Sequence, residues 1–134
     1  MSHVYIPSRT WFGDHVFVGP GVTFLNSRYP GRVPDVPTAR GATIEDDVMI
    51  GGGCTIMAGI TIGARSFIAA GAVVTCDVPA HSFAKGCPAK FEPLSGRLDV
   101  ETDRSLAIQS VDFWHPKADN LSDLDWPSDW AEQW

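Results

Sequence analysis

The sequence predicts an all-β chain wound as a parallel β-helix, and three observations carry that expectation. Aliphatic residues recur at a spacing of six through Ile44, Ile50, Ile56, Ile62, Ile68 and Val74. A second column four residues later, Val48, Cys54, Ile60, Ser66, Ala72 and Val78, is small or apolar throughout. The position three after each main aliphatic residue is His15, Gly21, Asp47, Gly53, Gly59, Arg65, Gly71 and Asp77, and half of these are Gly. A helix would place apolar residues three and four apart and an amphipathic strand two apart, so neither template explains a strict six. Each unit of six therefore reads as a short strand plus a corner, with three units to a triangular coil. Corners that need positive φ favour Gly, then Asn and Asp, while the apolar columns point inward and stack coil on coil.

Taken in order, the elements begin upstream of the strict repeat. Ile6, Phe12, Val18 and Phe24 keep the spacing, with Val16 and Val22 as their second column. The distance from Phe24 to Ile44 is three repeats plus two, so the register breaks and a loop, residues 26–41, must intervene. Its sequence, NSRYPGRVPDVPTARG, is rich in Pro and Gly and reads as an irregular excursion. Residues 1–91 are thus expected to form about four short coils with one protruding loop. The first of those coils leaves an edge that needs a cap.

Residues 92–134 differ in kind. They hold 3 basic and 10 acidic side chains and four of the five tryptophans, whereas residues 1–91 hold 7 basic, 6 acidic and 12 of the 13 glycines. The formal charge of -6 therefore belongs to an acidic, Trp-rich C-terminal tail. Alternation of Leu98, Val100, Leu106 and Ile108 suggests a short hairpin there, and Trp126, Trp130 and Trp134 would share one face of a short helix beginning near Pro127.

Composition narrows the function classes. A length of 134 residues at 44% hydrophobic suits one domain with a real core. No apolar run approaches the ~18 residues of a spanning helix, so no membrane partner is expected. An acidic balance argues against nucleic acid. The N-terminus lacks the build of a signal peptide, and Cys54, Cys76 and Cys87 fit no disulfide or metal spacing, so a cytoplasmic protein without a metal is expected. His3, His15, His81 and His115 also lack the paired spacing of a three-histidine zinc site.

The stretch TIEDDVMIGGGCTIMAGITIGARSFIAAGAVVTCDVP, followed by GCPAK, resembles the hexapeptide-repeat acyltransferases with a left-handed parallel β-helix. Within that family, HVFVGPGVTFLNSRYPGR is similar to the 3-N-acetyltransferases of nucleotide-linked amino sugars. The resemblance covers roughly residues 10–91. It implies a homotrimer with sites between subunits, acetyl-CoA as co-substrate and a sugar nucleotide as acceptor. It also implies that Asn26 contacts the attacking amine, that N–H groups at Gly52 and Ala70 meet the thioester carbonyl and the pantetheine arm, and that Lys90 lies near the donor phosphates. This chain departs from the family pattern at Cys76, where Lys is usual, at Cys87, where Asn is common, and in having fewer coils before Asn26.

Read for their chemistry, the residues support an amine acceptor. An amine attacking a thioester needs alignment and stabilisation of the developing oxyanion, and the Asn26 amide oxygen can accept from the amine. Relatives that acetylate hydroxyls place a His before Pro in this loop; here Tyr29 precedes Pro30. His15, at a corner near the Asn26 coil, is the remaining candidate base. Lys85 joins Lys90 as a candidate for the donor phosphates, and Arg28, Tyr29, Arg32 and Arg40 make the loop a candidate acceptor site for a diphosphate or a uronate. The rival readings are a non-catalytic β-helix that binds or assembles, and an O-acetyltransferase of a small sugar.

Overall fold

A computed structural model describes residues 3–31 and 40–99. Nine two-residue strands, β1 (Trp11–Phe12), β2 (Phe17–Val18), β3 (Thr23–Phe24), β4 (Thr43–Ile44), β5 (Met49–Ile50), β6 (Thr55–Ile56), β7 (Thr61–Ile62), β8 (Phe67–Ile68) and β9 (Val73–Val74), wind into three coils. Two longer strands, β10 (Ser82–Lys85) and β11 (Lys90–Pro93), and a 3-10 helix, Gly96–Leu98, follow. Strands β1 to β6 each pair in parallel with the strand one coil on, and β8 does so with β10, which makes a left-handed parallel β-helix with three faces. Face 1 is β1-β4-β7, face 2 is β2-β5-β8-β10-β11 and face 3 is β3-β6-β9. Part-coils flank the three complete ones: Tyr5 bridges Thr23 before them, and Val78 bridges Ile62 after them.

Alternation within two-residue strands sorts the side chains. The second residue of each points in, and Phe24, Ile44, Ile50, Ile56, Ile62, Ile68 and Val74 are buried. The second column, from Val48 and Cys54 through Val78, is buried with them. Ser66, the polar member of that column, is satisfied there: its hydroxyl donates to Pro79 O at 2.9 Å and accepts from Ser82 N–H at 3.3 Å. Upstream the column thins, because β1 and β2 have a pairing partner on one side only. Phe12 still meets the buried Phe24 edge to face at 5.4 Å, but it is 37% exposed and Ile6 is 50% exposed.

Seven of the eight expected corner residues take positive φ, between 57° and 74°. Asp77 does not. Val78 pairs 16 residues from Ile62 rather than 18, so that corner is two residues short. The Asp77 carboxylate instead accepts the Thr61 N–H at 2.8 Å. The loop expands one corner: β1 pairs with β4 at an offset of 32 where complete coils repeat at 18, so the chain leaves face 3 after Phe24 and returns to face 1 with the ladder intact. A further finding is the antiparallel hairpin of β10 and β11, which closes the last coil. Of the alternating residues of the expected tail hairpin only Leu98 is described, and it ends the 3-10 helix instead of starting a strand; the rest of the hairpin and the tryptophan helix fall in residues 100–134, outside the described residues.

Candidate functional site

The candidate residues fall on three separate corners of the prism. The corner between faces 2 and 3 gathers the donor candidates. Gly52 and Ala70 occupy it in successive coils, and the hairpin turn occupies it in the next, where Gly86 O accepts the Val73 N–H at 3.0 Å. Lys85 and Lys90 stand directly opposite each other at the base of that turn. Two like charges in register repel, and one is partly offset because Lys85 Nζ donates to Glu92 Oε1 at 2.9 Å and lies 5.1 Å from the Phe83 ring centre. With coils about 4.8 Å apart, Gly52, Ala70 and the two lysines form a lane roughly 10 Å long.

Among the described residues, the Gly52 and Ala70 amides in this lane are bare. At the corner between faces 1 and 2, the equivalent N–H groups of Asp14 and Ala64 are taken by carboxylates, Asp46 Oδ1 at 2.7 Å and Glu45 Oε2 at 2.9 Å. Among the described residues, Gly52 and Ala70 have no side chain so placed, and their N–H groups donate to no backbone oxygen. Gly51 keeps the stacking tight at this point, since a Cβ on it would lie 2.5 Å from Ala70 N. Two adjacent, unengaged N–H groups on a rigid ladder are suited to receive a carbonyl oxygen that gains negative charge.

The corner between faces 3 and 1 carries the loop. Asn26 is half-buried where the chain leaves the coil, and register places it in line with Ala58 and Cys76 of the next two coils. Arg28 is exposed, and its Nη2 donates to Thr75 O at 2.9 Å, a partner 47 residues away. Arg40, at the other end of the loop, sets its Cβ 4.0 Å from where a side chain on Gly59 would begin. Tyr29 is exposed. Arg32 lies outside the described residues.

His15 shares the Asn26 coil but sits at the third corner, between faces 1 and 2. Its Nδ1 lies 3.1 Å from Asp47 Oδ1, the corner residue of the next coil. That leaves Nε2 turned away from the carboxylate. The sequence weighed His15 alone, because the loop hides that residues 32 apart are neighbours. His81 follows on the same corner two coils beyond Asp47, with its N–H bonded to Ala64 O. A cleft of about 310 Å³ opens on face 1, lined by Trp11, Phe12, Glu45 and Asp46 among others, and it contains none of the expected site residues.

Within one chain, then, the structure unites the four donor candidates and, on another corner, the described loop candidates, but it does not bring these two groups or His15 together. Among the described residues no helix is long and apolar enough to cross a membrane, and no three His, Cys, Asp or Glu side chains converge as metal ligands.

Residues 41–76 match the family described as bacterial transferase hexapeptide (six repeats). A 2,3,4,5-tetrahydropyridine-2,6-dicarboxylate N-acetyltransferase of Staphylococcus aureus is 41% identical over 78 residues, 58% of this chain and 30% of that protein. A hexapeptide-repeat containing acetyltransferase of Vibrio cholerae, solved in complex with acetyl-CoA, is similar at 29% identity and a TM-score of 0.55, over 71% of this chain and 66% of that one. A second structure of it gives 30% identity and a TM-score of 0.51, with 71% and 68% covered. Serine acetyltransferase of Neisseria gonorrhoeae is similar at 29% identity and a TM-score of 0.61, over 79% of this chain and 36% of that one. This chain spans 30% to 40% of the length of the curated relatives it matches.

Proposed function

Because the chain belongs to the bacterial transferase hexapeptide family, we propose that it transfers an acetyl group from acetyl-CoA to the amine of a nucleotide-linked amino sugar. The observation that carries this reading is the pair of bare amides at Gly52 and Ala70, in line with the Lys85–Lys90 turn. The donor lies along that lane, its phosphates toward the lysines and its thioester carbonyl and pantetheine arm toward the Gly52 and Ala70 amides. A neutral amine attacks the carbonyl carbon, the C–N bond forms, the C–S bond breaks, and the amine proton leaves with the thiolate or to water. Asn26 aligns the amine by accepting from it, Tyr29 and Arg40 bind the acceptor, and Arg32 remains a candidate for the same role by its place in the sequence. The similarity of the FLNSRYP segment to the sugar-nucleotide enzymes supports that acceptor class.

Lane and loop occupy different corners, so the reading requires neighbouring subunits, as in the homotrimer that the family resemblance implies, one supplying the lane and the next the loop. Face 2 suits such packing, because its outward column of Phe17, Met49, Phe67 and Phe83 is apolar over four coils. The free Cys54, Cys76 and Cys87 support a reducing, cytoplasmic setting. Release of the CoA thiol, followed with acetyl-CoA and a panel of 3-amino sugar nucleotides, tests the reading. Turnover is expected on at least one member, and Asn26→Ala should lower kcat about 10²-fold. A wild-type protein inert on the whole panel would sink it.

The His15–Asp47 contact favours a second reading, acetyl transfer to a hydroxyl. A hydroxyl must lose its proton during attack, and an imidazole oriented by a carboxylate is a suitable base. On that reading a panel of serine and simple sugars supports turnover that His15→Ala abolishes. Turnover confined to amines, and indifferent to His15→Ala, rejects it.

A further inference from the structure

We propose that Arg28 is a positioning residue, which clamps the first turn of the loop, and with it Asn26, onto the corner between faces 3 and 1. The ladder before the loop ends with Leu25 N–H donating to Ile56 O at 2.9 Å. Two residues beyond Asn26, the Arg28 guanidinium donates to Thr75 O, two coils on from Asn26, at 2.9 Å. Thr75 directly follows β9 and directly precedes Cys76, the register equivalent of Asn26. One side chain therefore ties the point where the chain departs to a fixed carbonyl two coils away. The bond is charge-assisted and directional, about twice as strong as a neutral one. A guanidinium suits the task better than an ammonium, because its planar fork loses less freedom per bond formed and its reach is longer. The sequence places Arg28 with the acceptor-binding residues; the geometry sets its guanidinium on the carbonyl next to the register equivalent of Asn26.

The effect on turnover rests on the acetyl-transfer reading above, whereas the clamp is measurable on the protein alone. Arg28→Gln and Arg28→Lys are compared with wild type by hydrogen–deuterium exchange and by kinetics. In both variants, amides of residues 25–31 should exchange about fivefold faster or more, while those of β6 and β9 stay unchanged. In both, kcat should fall about tenfold with the KM for the amine within about twofold, as expected when alignment rather than binding is lost. Unchanged exchange at residues 25–31 overturns the proposal. So does a lysine variant that matches wild type, or a raised acceptor KM with kcat and exchange intact, since either makes Arg28 a direct contact with the substrate's charge. Absence of turnover by the wild type strikes the acetyl-transfer reading instead, and exchange still decides the clamp.

Discussion

Gly51 and Gly53 stand two residues apart and are constrained in opposite ways. A Cβ on Gly51 would lie 2.5 Å from Ala70 N and 2.8 Å from Ala70 Cα, both backbone atoms that cannot turn aside. Gly53 has φ +68° and nothing within 4 Å of an added Cβ, and at comparable φ the chain already carries His15, Asp47 and Arg65. Gly51→Ala should therefore force the coils apart and lose about 2–3 kcal/mol, the scale of overpacking, and Gly53→Ala about 1 kcal/mol, the scale of one left-handed residue. Urea unfolding of the two variants measures this, and equal losses would mean that backbone angle, not coil spacing, governs the corner. The cysteines differ in a similar way. Cys54 is buried with its Sγ 3.1 Å from Ala69 O, and burial pushes its thiol above the ordinary range despite the bonds it receives from nearby backbone. Cys76 and Cys87 are exposed. An alkylating reagent at neutral pH should label those two quickly and Cys54 only on unfolding; rapid labelling of all three would show that the core opens readily.

Among the elements, what was legible depended on period. The strands of β1 to β9 were visible because each contributes one inward residue to a column spaced by six, and a column survives as long as the corners keep their length. Where a corner shortens, at Asp77, the residue named as a corner is correct in place but not in conformation. The hairpin of β10 and β11 escaped notice because its pairing offset is local and antiparallel, although four residues, Gly86 to Ala89, between two short runs containing Phe83 and Phe91 are a hairpin signal. Its consequence is electrostatic. Placing Lys85 and Lys90 opposite each other concentrates positive charge at the end of the lane, where only Glu92 answers it among the described residues. Replacing both with Ala should weaken CoA binding about tenfold in a calorimetric titration, and the wild-type affinity should fall with added salt, as it does for exposed phosphate contacts. Dephospho or truncated donors should be less affected. An affinity indifferent to both lysines would move the phosphates elsewhere.

For the molecule as a whole, the candidate site was legible as a list of residues but not as a place. The columns that reveal a β-helix say which residues stack, yet a 14-residue insertion between coils conceals that His15 meets Asp47 and that Arg28 meets Thr75. Stacking also assigns each candidate to a corner, and the corners of a prism diverge. Gly52, Ala70, Lys85 and Lys90 lie on one, and Asn26 with Arg28 and Arg40 on the next, with face 3 between them. An acetyl group can cross only where donor and acceptor touch, so if both sets act in one reaction they belong to different subunits. Complementation tests this directly. Asn26→Ala damages the loop side and the Lys85→Glu, Lys90→Glu double variant damages the lane side, so each alone should be nearly inactive. Unfolded together and refolded as a mixture, they should regain about a quarter of the wild-type rate, because in a randomly mixed ring one interface in four joins an intact lane to an intact loop. Within a single chain every site would carry one lesion whatever its neighbours, and the mixture would stay as inactive as its parts.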